Sequence, residues 1–93
     1  MTYYVYLIVS YNKNRPISYV GYTNNLKKRV NLHNISKGAK FTKGRCWKLA
    51  YYKKYKTKSL ALKQEYKLKK DYNLRLRIKK NFLKNENISF TTI

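Results

Sequence analysis

The stretch Tyr3-Tyr4-Val5-Tyr6-Leu7-Ile8-Val9, followed after Ser10–Pro16 by Ile17-Ser18-Tyr19-Val20-Gly21-Tyr22, decides the fold. Residues 3–9 are aromatic and β-branched with no breaker, the pattern of a strand buried on both faces. Ser10–Pro16 reads as a turn, and so short a connection to the strand over 17–22 favours an antiparallel hairpin over a crossover. Thr23 or Asn24 can cap the helix expected over 25–36. Gly38 to Arg45 reads as a basic loop, and Trp47–Tyr55 as a third strand alternating aromatic and polar residues. Ser59 opens a second helix to about Asp71, and the spacing of Leu74, Ile78 and Phe82 predicts a third over 74–83. The end, NENISFTTI, either pairs as an edge or hangs loose. The expected organisation is one α+β domain over 1–84 with a C-terminal tail over 85–93.

A chain of 93 residues has room for one modest core. Its 43% hydrophobic content, with 3 Gly and 1 Pro, argues for a folded domain despite the extreme charge. Against 23 Lys plus Arg stand 3 Asp plus Glu, a formal net charge of +20, so nucleic acid is the first partner to expect. AT-rich coding would enrich Lys and Asn without selection for binding, yet it does not account for so few carboxylates. No apolar run is long enough to cross a membrane, and the start has no signal-peptide pattern. The solitary Cys46 excludes a disulfide framework or a Cys-pair zinc site and fits an intracellular, reducing compartment.

Among the three acids, Glu65 is the most informative. Spacings of four, three and four connect Ala61, Glu65, Leu68 and Tyr72 along one helical face, and a carboxylate on an apolar face needs a metal, an arginine or a proton. The competing reading is a surface pair with Lys69 in the favourable order, worth about 0.2–0.5 kcal/mol. Arg29 and His33 are one helical turn apart, so both can face a phosphate, although a solvated arginine and a structural histidine are the ordinary readings. The many tyrosines read by default as core aromatics. Gly21 inside a strand marks a bulge or a close approach by another backbone or a ligand.

Taken in order, these residues resemble the GIY-YIG nuclease family. Tyr4-Val5-Tyr6 stands where the first tripeptide stands and Tyr19-Val20-Gly21 where the second does. YVGYTNNLKKRVNLHN then follows the family pattern, with Arg29 ten residues after the tyrosine and His33-Asn34 at the helix end. KGAKFTKGR is similar to a loop of the small stand-alone bacterial members, and SLALKQEYKLKK to the late helix whose acid falls on Glu65. The resemblance covers about residues 3 to 80. Tyr22 departs from members that carry Lys there, and the hairpin between the tripeptides is slightly long.

The resemblance implies a three-stranded antiparallel sheet flanked by helices and a metal-dependent endonuclease acting on DNA, including branched, nicked or flap structures in repair or recombination. It implies Mg2+ or Mn2+ on Glu65, no organic cofactor, and catalytic roles for Tyr6, Tyr19, Arg29, His33 and Glu65. Gly21, Tyr22, Asn34, Lys37, Lys40, Lys43 and Arg45 are the expected nucleic-acid contacts. Tyr6 or Tyr19 would act as base with His33, provided that nearby cations lower the tyrosine's pKa. The alternative is a catalytically inactive nucleic-acid-binding module of the same fold.

Overall fold

In a computed structural model, residues 1–12 and 15–85 are described. Strands β1 (Tyr3–Asn12), β2 (Arg15–Thr23) and β3 (Lys48–Tyr55) form one antiparallel sheet in the order β2-β1-β3. The most apolar strand is therefore central, and every residue from Val5 to Ser10 is buried. The hairpin register pairs Tyr6 with Gly21 and Ile8 with Tyr19, and the ladder continues to Asn12 opposite Arg15. Residues 10–12, 15 and 16, expected in the turn, are thus strand; Tyr11 opposite Pro16 extends the apolar face that Val5 begins. Against β3 the register shifts between Leu7 and Ile8.

Alternation along β1 sends its side chains to two cores. Val5, Leu7 and Val9 meet Ala61, Leu68 and Leu83 of helices α2 (Lys58–Lys70) and α3 (Tyr72–Asn85), with Leu74, Ile78 and Phe82 packed around them. Tyr6 and Ile8 meet Trp47, Tyr19, Leu49 and the α1 residues Leu26 and Val30 (α1, Leu26–Asn34) on the opposite face. Each fully buried aliphatic side chain of this kind contributes about 1.5–3 kcal/mol.

Helix boundaries follow the caps. Asn25, not Thr23 or Asn24, caps α1: its Oδ1 accepts from the Lys28 N–H at 3.2 Å, while Thr23 Oγ1 accepts from the Asn25 N–H at 3.1 Å. The helix ends at Asn34, two residues before the expected limit, because Ser36 takes a left-handed conformation (φ 63°). Thr57 Oγ1 caps α2 through the Leu60 N–H, and Asp71 Oδ1 caps α3 through the Leu74 N–H. Asp71 therefore separates two helices, which leaves Tyr72 outside α2 and 61% exposed, not on the inward stripe with Ala61 and Leu68. The expected loop after α1 contains one 3-10 turn, Lys40–Thr42. Asn85 closes α3, and the rest of the expected tail lies outside the described residues.

Candidate active site

The buried centre of the site is a hydrogen-bonded chain. The Tyr6 hydroxyl lies 2.7 Å from His33 Nε2, and His33 Nδ1 lies 2.9 Å from Thr42 Oγ1. Thr42 fixes the direction. Its hydroxyl donates to the Ala39 carbonyl at 2.9 Å and accepts from the Ala39 N–H at 3.2 Å, so toward His33 it acts as an acceptor. His33 then carries its proton on Nδ1, and Nε2 accepts from the Tyr6 hydroxyl. Arg29 Nε donates to the same Tyr6 oxygen at 3.4 Å.

Two glycines make this packing available. Gly21 faces Tyr6 across the hairpin, and a β-carbon there would fall 2.6 Å from Tyr6 Cζ and closer still to the hydroxyl. The close approach expected at Gly21 is that of the Tyr6 ring. Gly38 crosses His33, where a β-carbon would sit 2.8 Å from ring atoms Cγ and Cε1. Left-handed Ser36 sends the chain along this path, and its Oγ accepts from the Gly44 N–H at 3.0 Å.

Burial sets the protonation of both partners. Desolvation raises the Tyr6 hydroxyl above its ordinary pKa of 10.0, outweighing the downward pull of the Arg29 hydrogen bond and charge. Among the described residues Arg29 lowers the Tyr6 pKa, but burial is the larger effect. His33 is held below 6.5, chiefly by burial and then by the Arg29 charge, which suits a neutral ring that accepts from tyrosine. Tyr6 and His33 are both fully buried. Tyr19 is only half-buried; its ring meets His33 edge-on at 5.2 Å and stacks with Phe41 at 6.0 Å.

The sheet edge is where the two faces of the molecule meet. Tyr19 and Arg29 lie on the α1 side of β2, whereas Glu65 comes from α2 on the other. Tyr19 touches the His33 ring, and the Glu65 carboxylate raises the Tyr6 hydroxyl's pKa slightly, the smallest of the influences on it. Glu65 also pairs with Lys69 at 3.6 Å while its side chain stays 16% exposed. Glu65 thus has the lysine partner of the surface-pair reading, with its side chain largely enclosed. A cavity of about 340 Å³ beside Arg29 is walled by Tyr3, Tyr22, Thr23, Asn24 and Lys58. Tyr22 reaches it from the α2 side of the sheet, packed against the core with Val5.

The remaining expected contacts divide. Lys37, Lys40 and Lys43 are exposed and Arg45 is half-buried on the segment that crosses His33. Asn34 instead holds the fold together, since its Oδ1 accepts from the Trp47 N–H at 2.6 Å and its Nδ2 donates to the Trp47 carbonyl at 3.1 Å. Trp47 in turn donates from Nε1 to the Thr42 carbonyl at 2.9 Å, so the loop end, the indole and the His33 partner form one unit. Gly38, Phe41, Thr42 and Trp47 were not legible as site residues. A glycine and a threonine spaced five and nine residues beyond a histidine carry no periodic signal.

Among the described residues, no three His, Cys, Asp or Glu side chains gather as a metal cage. Glu65, the acid that the resemblance assigns to the metal, is a hard oxygen donor with partial solvent access. That fits Mg2+ or Mn2+, since magnesium keeps several waters and takes one or two carboxylates plus substrate phosphate. No helix among the described residues is long and apolar enough to cross a membrane.

Comparison with known proteins agrees with this geometry. The GIY-YIG catalytic domain model matches residues 2–86. A UPF0213 protein of Pediococcus acidilactici is 40% identical over 77 residues, covering 80% of this chain and 76% of its own length. A UPF0213 protein of Oceanobacillus iheyensis is 48% identical over 52 residues, 55% of this chain and 60% of that protein. The UPF0213 protein YazA of Bacillus subtilis is 49% identical over 53 residues, 56% of this chain and 54% of that protein. The chain thus spans little more than half of several of these relatives. No solved structure matches. With the GIY-YIG catalytic domain model matched over residues 2–86 of its 93, this chain belongs to the GIY-YIG family of nuclease domains.

Proposed function

We propose that the protein is a divalent-metal-dependent endonuclease that hydrolyses DNA phosphodiester bonds at the β2 edge. The observation that carries this reading is the contact of Arg29 and Tyr19 with the buried Tyr6–His33–Thr42 chain. In the reaction a water oxygen forms a bond to phosphorus, the bond from phosphorus to the leaving sugar oxygen breaks, and negative charge grows on the non-bridging and leaving oxygens. Arg29 is held beside that charge by its hydrogen bond to Tyr6 and stabilises it. A bound Mg2+ or Mn2+ on Glu65 supplies further charge neutralisation at the phosphate and the leaving oxygen.

Tyr19 is the tyrosine with solvent access, so it orients the attacking water and, when ionised, accepts its proton. Tyr6 is enclosed and therefore positions Arg29. His33, neutral and donating to Thr42, keeps the Tyr6 hydroxyl turned so that its oxygen lone pairs face Arg29. Lys58 and the loop lysines Lys37, Lys40 and Lys43, with Arg45, hold the backbone without reading sequence.

The test is cleavage of duplex, nicked, flap, branched and single-stranded DNA with and without Mg2+. Magnesium-dependent appearance of discrete products on at least one substrate is the expected outcome. Binding of every substrate with no products under any condition would leave the inactive module as the correct reading.

A further inference from the structure

A second cationic pocket adjoins the site on the far side of Tyr19. It encloses about 290 Å³ between Ser18, Tyr19 and Val20 of β2, Phe41 of the loop, Lys69 of α2 and Arg75 of α3. Arg75 Nε is buried and has no hydrogen-bond partner among the described residues. Leaving a charged, buried donor unsatisfied costs more than leaving a neutral one, so such a group is met by water or by a bound anion. The guanidinium is steadied from one side by the Tyr72 ring, 5.7 Å from Cζ to the centroid.

Nearby carboxylates do not meet the need. Asp71 Oδ1 is used as the α3 cap, and Glu65 is paired with Lys69. One turn along α3, the Lys79 ammonium donates to the Pro16 carbonyl at 3.5 Å, and its pKa is lowered by burial and then by the Arg75 charge. Among the described residues, no carboxylate forms an ion pair with Arg75.

We propose that this pocket is a phosphate-binding subsite, in which Arg75 and Lys69 hold a backbone phosphate neighbouring the one presented to Arg29. Arg75 offers a planar fork suited to an oxyanion, and Lys69 offers a mobile charge at the rim, 50% exposed. Tyr19 walls the pocket and also touches His33, so a strand that fills the pocket is brought in register with the reacting centre. This assignment of a neighbouring phosphate rests on the nuclease reading. The binding of an oxyanion does not.

The decisive measurement titrates the isotope-labelled full chain with inorganic phosphate and follows the arginine Nε–Hε resonances by NMR. The Arg75 resonance is expected to shift saturably, whereas that of Arg77, exposed on the same helix, moves little. A second measurement compares binding of a short duplex by the Glu65→Gln protein carrying Arg75→Gln or Arg77→Gln. Each removes one charge, yet the first should weaken binding about tenfold, as expected for loss of a charge-assisted hydrogen bond, and the second less than about twofold. Arg75→Lys keeps the charge without the fork and should fall between them. Equal, unsaturable shifts of Arg75 and Arg77, or equal losses in the two variants, would overturn the proposal. Both readouts report binding, so they give their answer even if the wild-type chain cleaves nothing, and the titration decides even if Arg75→Gln does not fold.

Discussion

At the level of single residues, the site separates groups that face solvent from groups that hold them. Glu65→Gln removes the carboxylate proposed to hold the metal and barely changes helix propensity. Cleavage should fall by more than about 100-fold while DNA affinity stays within about twofold, the signature of a group needed chiefly in the transition state. Arg29→Ala should lower kcat by about 100–1,000-fold with little loss of affinity, because it is one cation among 23 but the one anchored at the developing charge. Parallel falls in rate and affinity would make Arg29 an ordinary backbone contact. His33 gives a pH prediction. Its pKa in the fold lies below 6.5, so the unfolded chain binds the proton more readily. The stability this contributes is present above pH 6.5 and is lost as pH falls through the folded value. Melting temperature should therefore drop on acidification from neutral pH, and the drop should shrink in His33→Gln. Tyr6 works in the opposite direction: its raised pKa contributes stability that is present below pH 10.0 and lost as pH rises through the folded value.

Among the elements, β2 has the most demanding position. As an edge strand it lets α1 and α2 send side chains around one border, and at Gly21 it must let the Tyr6 ring lie against its backbone. Gly21→Ala should cost about 1–3 kcal/mol in denaturant unfolding, the range for overpacking a closed core, and should depress cleavage further by shifting the hydroxyl that holds Arg29. An alanine variant with unchanged stability and activity would mean that Tyr6 moves aside freely. The loop after α1 has the second specialised position. Asn34→Ala breaks both hydrogen bonds to Trp47 and should destabilise by about 1–3 kcal/mol, since it leaves backbone polar groups unpaired near Trp47.

For the whole molecule, a net charge of +20 makes the proposed binding of nucleic acid a salt-dependent one. The logarithm of affinity should fall linearly with the logarithm of salt concentration, at about 0.9 per phosphate neutralised on a duplex, and should hardly differ between unrelated sequences. A strong preference for one short sequence at fixed salt would require base readout by residues other than those described here. The sequence by itself determined the hairpin, the burial of the first strand on both faces, the order of strands and helices along the chain, and the family. These follow from local periodicity, turn chemistry and motif spacing, which act over a few residues each. It also offered the side chains to consider at the site, of which Tyr6, Tyr19, Arg29 and His33 meet in one chain of contacts. What only the tertiary structure decided was their division of labour. Tyr6 and Tyr19 are alike as tyrosines in strands, but the one on the central strand is enclosed and the one on the edge strand is not. Likewise Thr42 sets the His33 tautomer, Asn34 serves Trp47, and Arg75 faces a pocket with a buried donor unmet. Each of these depends on burial and on partners remote in sequence, which set desolvation and hydrogen-bond direction and leave no pattern along the chain.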